Sequence, residues 1–155
     1  MSYNAVMKVT LLLGSKVDTE YAEKIAAVLK EFDVPSEIIV ASAHKVPEKV
    51  IEVIEKLNAD PQPQVVITVV GMSNGLGGVA AASCVHPVIN CPPYADLNEY
   101  MVDIHSNLRM PSDVPVMTVL NYKNAAICAA RILGEGNEAV KAKIAARIKK
   151  VKSEY

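Results

Sequence analysis

Short runs of β-branched residues alternate with helical patterns along the chain, and few folds accept that order. Runs at Val6–Leu13, Glu37–Ala41, Val65–Val70, Pro87–Asn90 and Val116–Leu120 read as buried strands. Between the first two, Ala22, Ile25, Leu29 and Phe32 recur at the period of one helix face, and Val46, Val50, Val53 and Leu57 repeat the pattern before the third. A third, weakly amphipathic helix is predicted from Gly75 through Val79 to Cys84, a fourth over Asn98–Ser106 and a fifth over Asn124–Leu133. Strands joined by helices pair in parallel through right-handed crossovers, with helices on both faces. The predicted architecture is a three-layer αβα sandwich around a five-stranded parallel sheet, flavodoxin-like or Rossmann-like.

Beyond Gly134-Glu135-Gly136, a last helix over about 137–152 places Val140, Ile144, Ile148 and Val151 on one stripe. The crossover helices already cover such a sheet, so this stripe is either a solvated flap or a surface that packs on a neighbouring subunit. With 155 residues, 51% of them apolar, the chain is expected to form one domain over 1–155. Its formal net charge of -1 supplies no field for gripping nucleic acid or an anionic membrane, although the last 19 residues hold six Lys or Arg against two Glu. Cys84, Cys91 and Cys128 lack the spacing of a disulfide framework or a zinc knuckle, and a reducing cytoplasm is the expected compartment. The apolar run Val9–Leu13 is too short for a secretory segment, and no export or membrane span is expected.

Chemistry is expected where strands end, because loops there meet helix N-termini with free N–H groups. The first three such turns are unusual and should share one crevice. In Gly14-Ser15-Lys16-Val17-Asp18, Gly14 permits close backbone approach, Ser15 can donate to a phosphate oxygen and Asp18 can accept from a ribose hydroxyl. Helix capping by Asp18 explains the same turn. In Ser42-Ala43-His44-Lys45, an imidazole able to exchange a proton near neutrality stands beside a fixed cation. His86 and His105 share no ligand spacing with His44, so no metal is indicated. The third turn, Gly71-Met72-Ser73-Asn74-Gly75-Leu76-Gly77-Gly78, offers a small-residue floor on which N–H groups, Ser73 and Asn74 can meet an anion. Its likeness to a dinucleotide fingerprint fails on position, since it follows the third strand and its acidic residue, Asp96, lies beyond a whole further strand. No Gly-Lys-Ser/Thr closes a P-loop.

These turns, followed by Pro87-Val-Ile-Asn-Cys-Pro-Pro93 and Leu108-Arg-Met-Pro-Ser112, resemble in order and spacing the phosphoribosylaminoimidazole (AIR) carboxylase family over most of the chain. Within that family, the mutase class acting on N5-carboxy-AIR usually has Arg after Ser-Ala-His and a His in the third turn. Lys45 and the His-free turn look instead like the class that carboxylates AIR directly with CO2. The resemblance implies His44 as the proton-transfer residue, with Ser15, Ser42 and Lys45 on the nucleotide and Asp18 at the ribose. It further implies Gly71, Ser73, Asn74 and Gly75 around the carboxylate, a CO2 pocket walled by Cys91-Pro92-Pro93, and Arg109 as a substrate-binding residue in a loop near a subunit contact and the active site. A homo-octamer needing no ATP, biotin, metal or other cofactor is implied as well. Four positions depart from the family pattern: Val17 for Ser, Met72 for Arg, Asn107 for Ser and Asp113 for Gly. They leave open a mutase or a ribonucleotide-binding relative without catalysis.

Overall fold

The computed structural model describes residues 7–155, so Val6, the predicted start of the first strand, lies outside the described residues. Strands β1 (Lys8–Leu13), β2 (Ser36–Val40), β3 (Gln64–Val69), β4 (Val88–Asn90) and β5 (Met117–Thr118) form one parallel sheet in the order β2-β1-β3-β4-β5. The helices are α1 (Thr19–Glu31), α2 (Pro47–Ala59), α3 (Gly75–Ser83), α4 (Leu97–Asp103), α5 (His105–Leu108), α6 (Tyr122–Gly134) and α7 (Glu138–Lys152). β5 is shorter than predicted, and the adjacent β4 with which it pairs is itself three residues long. Only the Val119 N–H, 2.9 Å from the Asn90 carbonyl, prolongs the contact. The predicted fourth helix is two short ones meeting at Ile104, which is buried while α4 itself buries nothing.

Both faces of the central strands are covered, which is why their residues do not alternate in polarity. Val9, Leu11, Leu13, Val65 and Ile67 pack against Ile25 and Leu29 of α1 and the alanine-rich face of α6. On the other face Leu12, Val66 and Val88 meet Val50, Ile54 and Leu57 of α2 and Leu76 and Ala80 of α3. Each fully buried Leu, Ile or Val contributes about 1.5–3 kcal/mol. The last helix docks on its own chain. Val140 and Ile144 join the α1/α6 core, Ile144 meets Gly134, and Arg147 pairs with Glu31 at 2.8 Å. The distal stripe residues Ile148 and Val151 remain 38% and 43% exposed.

Among the described residues, left-handed backbone falls on Asp33, Met72 and Asp113, with φ of 56°, 55° and 65°, and on no glycine. Asp33 ends α1 in a Schellman motif, its N–H on the Lys30 carbonyl and that of Val34 on Leu29. Asp113 occupies the third position of a turn closed by the Val114 N–H on the Pro111 carbonyl, where φ > 0 favours glycine. Asp tolerates that region better than most residues, so Asp113→Gly is expected to stabilise by only about 0.5 kcal/mol after the added freedom of the unfolded chain is counted. A rise of roughly 1–2 °C in Tm checks this, and a fall contradicts it.

Candidate active site

Strand order reverses between β1 and β3, and a cavity of about 600 Å³ lies at the carboxyl ends of the strands beside that switch point. The turns after β1, β2 and β3 all line it, as does the loop after β4. Of the ten residues predicted to act, Ser15, Asp18, Ser42, His44, Lys45, Gly71 and Ser73 line this cavity. Residues as distant in the chain as Ser15 and Ser73 thus meet because parallel strands deliver every such turn to one edge of the sheet.

Asp18 precedes α1 at the capping position, yet its side chain makes no capping hydrogen bond. Its carboxyl turns to the cavity instead, where burial pushes it above the ordinary carboxylate value against the opposing pull of the Ser15 backbone. Helix capping therefore does not account for Asp18. The Ser15 hydroxyl accepts the Val17 N–H at 3.4 Å and the Ser42 hydroxyl accepts the Lys45 N–H at 3.3 Å, leaving both hydroxyl protons available to a ligand. His44 and Lys45 are exposed at the rim. His44 leans on Gly75: a Cβ at that glycine would stand 2.7 Å from Nε2 and 3.1 Å from Cε1. Gly75 therefore seats the imidazole without lining the cavity itself.

Asn74 behaves differently from expectation. It is 4% exposed, accepts the Gly77 N–H at 2.8 Å and donates to the Asn107 side chain, so its amide caps α3 and does not reach the cavity. Asn107, one of the four departures, is the partner of that cap. Arg109 is exposed and lies outside the cavity lining. Cys91 and Pro92 are buried behind Pro93, which does line it. Burial pushes the Cys91 thiol up to about 11, so it stays protonated at neutral pH.

The third turn is fixed from α4 and α5. The Met72 N–H donates to Asp103 Oδ2 at 2.8 Å, the Asn74 N–H to Ser106 Oγ at 3.0 Å, and Ser106 donates to the Asp103 carbonyl at 2.8 Å. A left-handed Met costs about 1–2 kcal/mol, and a hydrogen bond to a charged acceptor returns about 1.5–3 kcal/mol, enough to hold it. The N–H groups of Gly75, Gly77 and Gly78 also have internal acceptors. Those of Ser73 and Leu76 have none among the described residues, and both residues line the cavity.

Sequence patterns missed Tyr94 and Glu99 on the wall formed after β4. The Asp96-x-x-Glu99 spacing was the available signal. Asp96 Oδ1 accepts the Glu99 N–H at 3.0 Å and Glu99 accepts the Ala95 N–H, so this cap turns Glu99 towards the cavity rim.

A crevice at the switch point of a 2-1-3-4-5 parallel sheet, holding an imidazole, a lysine, hydroxyls and a partly buried carboxyl among apolar side chains, belongs to an α/β enzyme acting on a small molecule. The chain is a member of the AIR carboxylase family, whose profile matches residues 8–154, and the family's chemistry is AIR carboxylation in purine biosynthesis. It is 42% identical to a phosphoribosylaminoimidazole carboxylase of Archaeoglobus fulgidus over 138 residues, 89% of this chain and 75% of that protein. A bifunctional phosphoribosylaminoimidazole carboxylase/succinocarboxamide synthetase of Rattus norvegicus is 38% identical over 92% of this chain, which spans 33% of the longer protein. The crystal structure of Treponema denticola PurE superposes with a TM-score of 0.91 at 35% identity, covering 96% of this chain and 93% of that one. No helix among the described residues is long and apolar enough to cross a membrane.

Proposed function

We propose that this chain carboxylates AIR directly with CO2, without ATP, and that His44 removes the proton that carboxylation leaves at C4 of the imidazole. The aminoimidazole is an enamine-like nucleophile. Its C4 attacks the carbon of CO2, and the adduct bears both a carboxylate and a hydrogen at C4. Loss of that proton to a base restores aromaticity. The observation that carries this reading is the imidazole of His44 seated on Gly75 at a cavity that Lys45 and Ser73 also line. In the same reading Ser15, Ser42 and Lys45 hold the phosphate, Asp18 accepts from the ribose, and Ser73 with the free N–H groups of Ser73 and Leu76 receives the developing carboxylate.

The assignment to the direct class rests on Lys45 and on the absence of His between Gly71 and Gly78. Purified protein given AIR and CO2 without ATP should form carboxy-AIR. Turnover of N5-carboxy-AIR alone would move the chain to the mutase class. Tight binding of AIR with neither conversion would make it a binding protein, a reading to which Met72 and Val17 lend weight because they line the cavity at 75% and 85% exposure.

Gly75→Ala tests the seat of the imidazole. The added Cβ must push the exposed ring aside, so kcat is expected to fall about 100-fold, the scale of an ångström misplacement, while Tm stays within about 2 °C. Unchanged kcat would mean that the position of His44 on Gly75 is unimportant. Assembly as a homo-octamer belongs to the same proposal, supported by Leu97, Val102 and Leu108, which are 70%, 73% and 60% exposed on α4 and α5. Light scattering that finds a monomer at micromolar concentration would exclude it.

A further inference from the structure

We infer that Asp103 and Ser106 are positioning residues that hold the third turn, with Met72 left-handed, in the shape that leaves the Ser73 and Leu76 N–H groups free for the substrate. The inference rests on the function proposed above but on separate observations. Met72 carries φ 55° although glycine stands beside it at Gly71 and three residues on at Gly75. A side chain in that region persists only where its surroundings impose it. Here Asp103 Oδ2 accepts the Met72 N–H, while Ser106 Oγ accepts the Asn74 N–H at 3.0 Å and donates towards both the Asp103 and the Met72 carbonyls, at 2.8 and 3.3 Å. The backbone on both sides of Ser73 is thus fixed by two side chains from one segment.

That segment is itself anchored at its far end. Ile104 and Asn107 are buried, Asn107 pairs with Asn74, and Thr118 of β5 donates to the Asn107 carbonyl at 3.1 Å. α4 buries no residue fully, and apart from Glu99 at the cavity rim, Tyr100 against Tyr94 and Asp103 itself it is exposed, so these few groups make its link to the turn. Neither Asp103 nor Ser106 lines the cavity, and each acts through the turn that it holds.

The test combines amide hydrogen exchange with a double-mutant cycle on the full chain. In Asp103→Ala the Met72 amide should exchange at least about 10-fold faster, and kcat should fall about 10-fold with KM changing less than about threefold. Asp103→Asn keeps an acceptor oxygen and should retain at least half of wild-type kcat. In a Met72→Gly background, where φ > 0 needs no support, removal of Asp103 should cost less than about threefold in kcat. The inference falls if Met72 exchange is unchanged in Asp103→Ala, if Asp103→Asn is as impaired as Asp103→Ala, or if the loss is as large in the Met72→Gly background. Should Asp103→Ala fail to fold, Asp103→Asn compared with Asp103→Ser in the Met72→Gly background decides the same point. A wild-type chain that does not carboxylate AIR would overturn the proposed function alone, because the exchange measurement still reports on the turn.

Discussion

His44→Asn is expected to lower kcat for AIR carboxylation about 1,000-fold, within the range that general acid–base catalysis contributes, while AIR affinity changes by less than about threefold. Asparagine keeps a polar side chain of similar reach at the cavity mouth but has no group that exchanges a proton near neutral pH. The fold should tolerate the change, since His44 is exposed and its ring has no hydrogen-bond partner among the described residues. Single-turnover kinetics with separately measured AIR binding distinguishes the outcomes. A rise in KM at constant kcat would make His44 a binding residue, and activity within tenfold of wild type would remove it from proton transfer altogether.

The largest effect on stability is expected at Gly77, not at the cavity rim. A Cβ there would stand 2.3 Å from Asn90 Oδ1 and 2.6 Å from Asn74 Nδ2, and both amides are buried. Neither can retreat without breaking a buried hydrogen bond: Asn90 accepts the Thr68 hydroxyl at 2.6 Å, and Asn74 caps α3 and pairs with Asn107. Overpacking and the loss of one such bond together put Gly77→Ala at about 3 kcal/mol of destabilisation, or roughly 10 °C in Tm. Gly78 is the control one residue on. Its added Cβ meets only Met110, at 3.8 Å, so Gly78→Ala should stabilise by about 0.5–1 kcal/mol through helix propensity. Equal Tm changes for the two variants would refute this account of the helix.

These predictions show how unevenly the sequence could be read. The alternation of β-branched runs and 3.6-residue patterns determined the parallel sheet, because each strand needs both faces buried and each helix one. His44, Ser15, Asp18, Ser42 and Lys45 line one crevice, since in a parallel sheet every strand-to-helix turn reaches the same edge. Strand ends were less legible at the sheet margin, where β5 depends on its neighbour more than on its own residues. α7 was ambiguous for a related reason: an apolar stripe records that a face is covered and not by what.

The third turn marks the boundary most clearly. Its composition alone announced a glycine-rich floor beside a helix N-terminus, and that much was determined by sequence. Only the tertiary structure assigned its glycines separate tasks: Gly75 makes room for the His44 ring, Gly77 for two buried amides, and Gly78 for nothing nearer than Met110. It also gave the left-handed position to Met72, held by Asp103 from 31 residues away, and turned Asn74 inward to Asn107. The physical reason is common to all of these. What a small residue permits, and which way an amide faces, depend on atoms brought close in space by elements distant in the chain, and local sequence carries no record of that distance.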